Sequence, residues 1–78
     1  MTTFDRVKEH IEDQLHVRPD QVKLESHIVD ELGADSLDCV ELLMGMEEEF
    51  QLSIKDEDVE KCRTVQDVVD LVDRFRKT

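Results

Sequence analysis

The chain has no tryptophan or tyrosine, and only three phenylalanines, two glycines, one proline and two cysteines. Two cysteines are too few for a disulfide framework. Cys39 and Cys62 both fall inside helix-like segments, so two buried or half-buried thiols in a reducing compartment are expected rather than one bridge. There is no CxxC and no Cys/His pair at zinc spacing, which argues against a structural metal, and no specific metal site is expected. No apolar run approaches the length needed to span a bilayer, and the opening MTTFDRVKEH is charged too early for a secretory signal. The reading is therefore one soluble domain over residues 1–78, in the cytoplasm or, as a mature form, in an organelle interior. Without staples, a domain this small has to be held by well-packed helices.

What is abundant is acid. The formal net charge is −11, and it is concentrated: residues 30–60 hold twelve acids and one base, Lys55, while the rest of the chain holds nine of each. Nucleic acid and anionic membrane are poor partners for such a surface, and proteins bearing basic patches are good ones.

Scarce glycine and weak strand signals favour an all-α fold, and period and caps delimit four helices. The first runs from about Thr3 to about His16, with Phe4, Val7, Ile11 and Leu15 as its apolar stripe and Thr2 with Asp5 as a cap pair. Arg18-Pro19 breaks it. A long first loop, residues 17–35, follows without clean periodicity, its Val22, Leu24, Ile28, Val29 and Leu32 spaced to press on a bundle. The second helix spans about Ser36 to Phe50 and a short third about Lys55 to Lys61. Thr64, with Asp67, caps the last, whose inner face is Val65, Val68, Val69, Val72 and Phe75. The expected architecture is a four-helix bundle with a long first loop and a short third helix.

At roughly 100° per residue, the second helix sorts into three faces. Cys39, Leu42, Leu43, Met46 and Phe50 form the core face. Asp38, Glu41, Glu48 and Glu49 lie opposite, around Gly45, and are expected in solvent. Leu37, Val40 and Met44 make a third stripe that starts beside Ser36. Val40 and Met44 can complete a wide buried face, whereas Leu37, at the helix start, is expected outside it. An apolar strip beside acid has the make-up of a small docking surface, where charge steers and orients a basic partner.

Ser36 invites three readings. Serine is a good N-cap, but Asp35 is an equally good one and would free the hydroxyl. A nucleophile needs an oriented base, and His10, His16 and His27 are far away in sequence; Ala34-Asp35-Ser36-Leu37-Asp38 also lacks the glycines of a nucleophile elbow. The third reading is a point of attachment. Calcium loops starting at Asp30 or Asp56 fail, since Leu32, Ala34 and Lys61 stand where ligands or glycine are required.

Gly33-Ala34-Asp35-Ser36-Leu37-Asp38, followed by Val40-Glu41-Leu42 and Glu47-Glu48-Glu49-Phe50, resembles the acyl carrier proteins of the dissociated type II kind. The likeness covers nearly the whole chain, including the Thr64-Val65-Gln66-Asp67 start of the last helix. It implies a non-catalytic, monomeric carrier and phosphoprotein, with Ser36 bearing a covalent 4′-phosphopantetheine attached by a phosphopantetheinyl transferase. Asp35 matches the position offered to the transferase and its metal. Leu37, Asp38, Val40, Glu41, Met44, Glu47 and Glu48 match positions presented to partner enzymes: ketoacyl synthases, reductases, dehydratases and acyltransferases with basic patches. The implied function is delivery of acyl thioesters in fatty acid biosynthesis. Polyketide, lipoic-acid or specialised lipid synthesis is the alternative, and an unmodified acidic interaction domain is the reading from another class.

An acyl chain needs shelter from water, and the aliphatic residues Ile28, Val29, Leu43, Met46, Ile54, Val59, Cys62, Val68 and Leu71 are the expected walls of an interior pocket. Two residues depart from the commonest family pattern. Cys39 stands where threonine or a small residue is frequent, and is expected buried and inert. Gly45 stands where alanine is more usual, at a helix-propensity cost of about 1 kcal/mol.

Overall fold

The structure, a computed structural model, describes residues 2–76. Helix α1 is Thr3–Leu15, α2 is Ser36–Phe50, α3 is Asp56–Val59 and α4 is Val65–Phe75, with a 3-10 turn at Pro19–Gln21; among the described residues there is no β-strand, only an isolated bridge between His27 and Thr64. The all-α expectation and the short third helix hold.

Each long helix begins on a reciprocal cap of the kind the sequence announces. Thr2 Oγ1 accepts from the Asp5 N–H at 3.1 Å, and Asp5 accepts from the Thr2 N–H at 3.0 Å. Thr64 and Asp67 repeat the pattern on α4. α1 closes one residue earlier than expected, because His16 turns into the left-handed region at φ 57°. α3 is also shorter than expected. After Val59 the bonds tighten to three-residue spacing, with Lys61 N–H to the Asp58 carbonyl and Cys62 N–H to the Val59 carbonyl, both at 3.1 Å.

The first loop is fastened to the far end of the chain. The Val65 and Gln66 N–H groups, which open α4 and have no partner within it, donate to the Ser26 and Leu24 carbonyls at 3.0 and 2.9 Å. The Ile28 N–H donates to the Arg63 carbonyl at 2.9 Å, and the buried Ser26 hydroxyl bonds the Gln21 carbonyl and the Lys23 N–H. These bonds let a loop lie over the core without leaving buried backbone groups unsatisfied.

The core is aliphatic. Val7 and Ile11 of α1, Leu42, Leu43 and Met46 of α2, and Val65, Val68, Val69, Leu71 and Val72 of α4 are buried together with Val22, Ile28, Leu32 and Ala34 of the first loop. Each large side chain in that set contributes about 1.5–3 kcal/mol by leaving water. Two loop residues expected to press on the bundle do not: Leu24 is exposed and Val29 is 50% exposed. Residues 27–32 form a helical turn, with Glu31 N–H on the His27 carbonyl, so Ile28 and Leu32, four apart, share the inner face and Val29 falls outward. Gly33, at φ 77°, then reverses the chain so that the Ala34 N–H reaches the Ile28 carbonyl at 3.1 Å and α2 can begin.

Candidate functional site

The start of α2 resolves the question of the cap. Asp35 is the N-cap: its Oδ1 accepts from the Asp38 N–H at 2.9 Å, and Asp38 Oδ2 accepts from the Asp35 N–H at 3.1 Å. The hydrogen bond from the Asp35 backbone, helped by Gln14, holds the Asp38 carboxyl below the usual range and keeps it ionised. Ser36 is the first residue inside the helix. It is exposed, and its hydroxyl makes no hydrogen bond to any described residue. No histidine is bonded to it: His10 is engaged by Glu49 at 2.6 Å and His27 lies 3.5 Å from Asp30. The result is an accessible primary alcohol on a helix N-terminus between two aspartates, with no histidine among the described residues hydrogen-bonded to it.

Beyond Ser36 the outward face of α2 is only partly the one expected. Glu41 and Glu48 are exposed, but Asp38, Gly45 and Glu49 are half-buried on the side turned toward α1. Arg6, His10 and Gln14, spaced four apart, form a polar stripe along α1. Glu49 takes hydrogen bonds from Arg6 and His10, and Gln14 donates to Glu41 at 2.8 Å and to Asp38 at 3.4 Å. The Arg6 guanidinium hydrogen bond, against a burial effect that opposes it, keeps the Glu49 carboxyl below its ordinary value, and His10 adds to this. Gly45 lies under the His10 ring: a Cβ there would sit 3.0 Å from Nδ1. α2 is turned so that its apolar strip points out, with Leu37 64%, Met44 55% and Val40 43% exposed. Glu41 and Glu48 are exposed along that strip.

A groove of about 410 Å³ runs along the other side of the strip, between α2 and the segment leading into α3. Its lining is Val40, Leu43, Met44 and Glu47 of α2 with Ile54, Asp56, Val59 and Glu60. Of the residues expected to wall an acyl pocket, Leu43, Ile54 and Val59 are brought together here. Ile28, Met46 and Val68 are sealed in the core, and Val29 is on the surface. Cys62 and Leu71 line a separate recess of about 170 Å³ against Asp58, Asp67 and Arg74. The groove lies on the flank of α2, beside the four-residue α3, and not in the centre of the core.

Sequence reading missed Asp56 and Glu60 at the groove and Gln14 beside Asp38. The available signal was the spacing of Arg6, His10 and Gln14, which marks a polar stripe on an otherwise apolar-seamed helix. Both cysteines are free thiols. Burial, with Asp67 and Asp58 nearby, pushes Cys62 up to about 11, and burial also raises Cys39. Among the described residues no group of three or more His, Cys, Asp or Glu side chains is arranged to hold a metal, and no helix is long and apolar enough to cross a membrane.

This geometry agrees with what the chain is related to. Residues 5–72 match the family described as PP-binding, phosphopantetheine attachment site. An acyl carrier protein of Bdellovibrio bacteriovorus is 55% identical over 77 residues, covering 99% of both chains. Acyl carrier proteins of Campylobacter fetus subsp. fetus and Campylobacter jejuni are each 49% identical over 77 residues, covering 99% of this chain and 100% of theirs. The chain belongs to the phosphopantetheine-attachment family, in its acyl carrier protein branch. It is a non-catalytic carrier, and its cofactor is a covalently attached 4′-phosphopantetheine.

Proposed function

We propose that Ser36 bears the phosphopantetheine and that the protein delivers acyl intermediates to the enzymes of type II fatty acid biosynthesis, in the cytoplasm. When bound, the group supplies a terminal thiol on a long arm, on which acyl groups are held as thioesters. The observation that carries the reading is the division of labour between adjacent residues. Asp35 takes the cap, so the exposed Ser36 hydroxyl is left without an internal partner. A transferase can reach such an oxygen and modify it without disturbing the helix. The carboxylate of Asp35, beside it, suits the transferase's metal.

Docking falls to the outward face of α2. Leu37, Val40 and Met44 supply apolar contact, while Glu41 and Glu48 steer synthases, reductases, dehydratases and acyltransferases whose approach surfaces are basic. Asp38 and Glu47 border the same face but are tied into the fold by Gln14 and by the Ile54 N–H. The groove beside the strip suits an aliphatic chain. Each methylene that leaves water for its apolar lining gains about 0.8 kcal/mol.

Intact mass after incubation with coenzyme A and a phosphopantetheinyl transferase tests the central point. The wild-type chain gains one phosphopantetheine and Ser36→Ala gains none while keeping its helix content. Modification of the alanine variant, or an unmodified wild type, would overturn the assignment.

A further inference from the structure

Glu47 matches a partner-docking position by resemblance, yet its bonds point elsewhere. Its carbonyl accepts the Gln51 N–H, which closes α2, and the Leu52 N–H at 3.0 Å. Its carboxylate Oε2 accepts the Ile54 N–H at 2.7 Å. Three backbone donors of the segment between α2 and α3 therefore converge on one residue. Glu47 is half-buried and lines the groove, and so does Ile54, the residue it holds. Leu52, Ile54 and Val59 pack against the core, but among the described residues no other side chain hydrogen-bonds the backbone of residues 51–55. α3 has four residues, and its N-cap, Lys55, makes no side-chain cap bond. Ser53 is exposed.

We propose that the Glu47 carboxylate is the latch of the groove: its bond to the Ile54 N–H holds the α3 side against α2, and its release lets that side move away to admit an aliphatic acyl chain. Glu47 is thus a positioning residue for cargo, acting through Ile54 and α3, and not one of the charges that select a partner enzyme. The bond is charge-assisted, short and shielded on one side, so it is stronger than an exposed contact. It closes a loop of only six intervening residues, so its loss loosens the segment locally and leaves the core of α1, α2 and α4 intact. The proposal rests on the groove as the seat of the acyl chain, and the test separates the two.

Glutamine keeps an acceptor oxygen at the same reach and loses the charge, whereas alanine loses both. Amide hydrogen exchange at Ile54 is measured in the unacylated protein for wild type, Glu47→Gln and Glu47→Ala. The latch requires exchange about tenfold faster in the alanine variant, the order expected for a lost hydrogen bond to a charged group, with most of the protection restored by glutamine and far-UV circular dichroism unchanged in both. Coupling to a ketoacyl synthase is measured on the same proteins carrying phosphopantetheine. A latch leaves Glu47→Gln near wild type, while a docking charge makes Glu47→Gln as poor as Glu47→Ala. Unchanged Ile54 exchange in Glu47→Ala, or failure of glutamine to rescue, overturns the proposal. The seat of the chain is read separately, from chemical shifts of Leu43, Ile54 and Val59 on loading an eight-carbon acyl group. Silent shifts there alongside altered Ile54 exchange would leave the latch standing and remove the groove as its purpose.

Discussion

Gly45 tests whether the contact between α1 and α2 is understood. In an exposed helix interior, glycine to alanine gains about 1 kcal/mol of stability. Here the new Cβ would stand 3.0 Å from His10 Nδ1 and 3.3 Å from Cε1, tight enough that the ring must give by a few tenths of an ångström. Any such shift acts on the ring's 2.6 Å bond to Glu49, and a hydrogen bond to a charged group contributes about 1.5–3 kcal/mol. Gain and loss are of similar size and opposite sign, so Gly45→Ala alone is expected to be neutral or destabilising by up to about 2 kcal/mol. In a His10→Ala background the obstruction is gone, and the same substitution should recover its full gain of about 1 kcal/mol. The double-mutant cycle should therefore show a coupling of about 1–3 kcal/mol between positions 10 and 45. Urea unfolding of the four proteins at pH 7 measures it. A change of about 1 kcal/mol moves the melting temperature of a domain this size by about 4–8 °C, well within resolution. If Gly45→Ala stabilises equally with and without His10, the ring is not held where these distances put it and the reasoning fails.

Gly33→Ala should cost about 1–2 kcal/mol in urea unfolding although a Cβ there meets no atom within 4 Å, because the penalty comes from φ 77° alone; Gly33→Asn should cost less. The depressed Glu49 carboxyl contributes stability that is present above the ordinary glutamate value of 4.5 and lost as pH falls through its lower folded value, so Glu49→Gln should flatten the acid side of the stability profile below about pH 4.5. An unchanged slope would refute that linkage. Glu41→Lys should weaken coupling to a ketoacyl synthase with helix content intact, and equal activity would count against the docking strip. With Cys62 near 11 and Cys39 raised, both thiols should resist iodoacetamide at pH 8 until the chain is unfolded; prompt alkylation of the native protein would show the pair to be more open than described.

Periodicity and capping chemistry made the helices legible in advance. Thr2/Asp5 and Thr64/Asp67 are local signals, complete within four residues, and they appear in the structure as reciprocal caps; the Asp35/Asp38 pair, of the same spacing, went unread. Whether Asp35 or Ser36 takes the cap was not legible locally, since both are good caps; in the folded chain Asp35 takes it and Ser36 is exposed. Acidity concentrated in residues 30–60 was a property of the chain alone.

The rotation of α2 was not available from the chain. A helical wheel orders residues around an axis but does not say which neighbour lies where, and acid facing water looks the same on it as acid facing a polar stripe of another helix. Only the packing of α1 through Arg6, His10 and Gln14 turned Glu49 and Gly45 inward and left Leu37, Val40 and Met44 as the outer surface. The groove was decided in the same way. Its walls come from α2 and from a segment held across a turn by Glu47, so the groove exists only once those elements meet. Local order follows from bonds within a few residues; a concave surface needs residues distant in sequence, and their arrangement is set by packing.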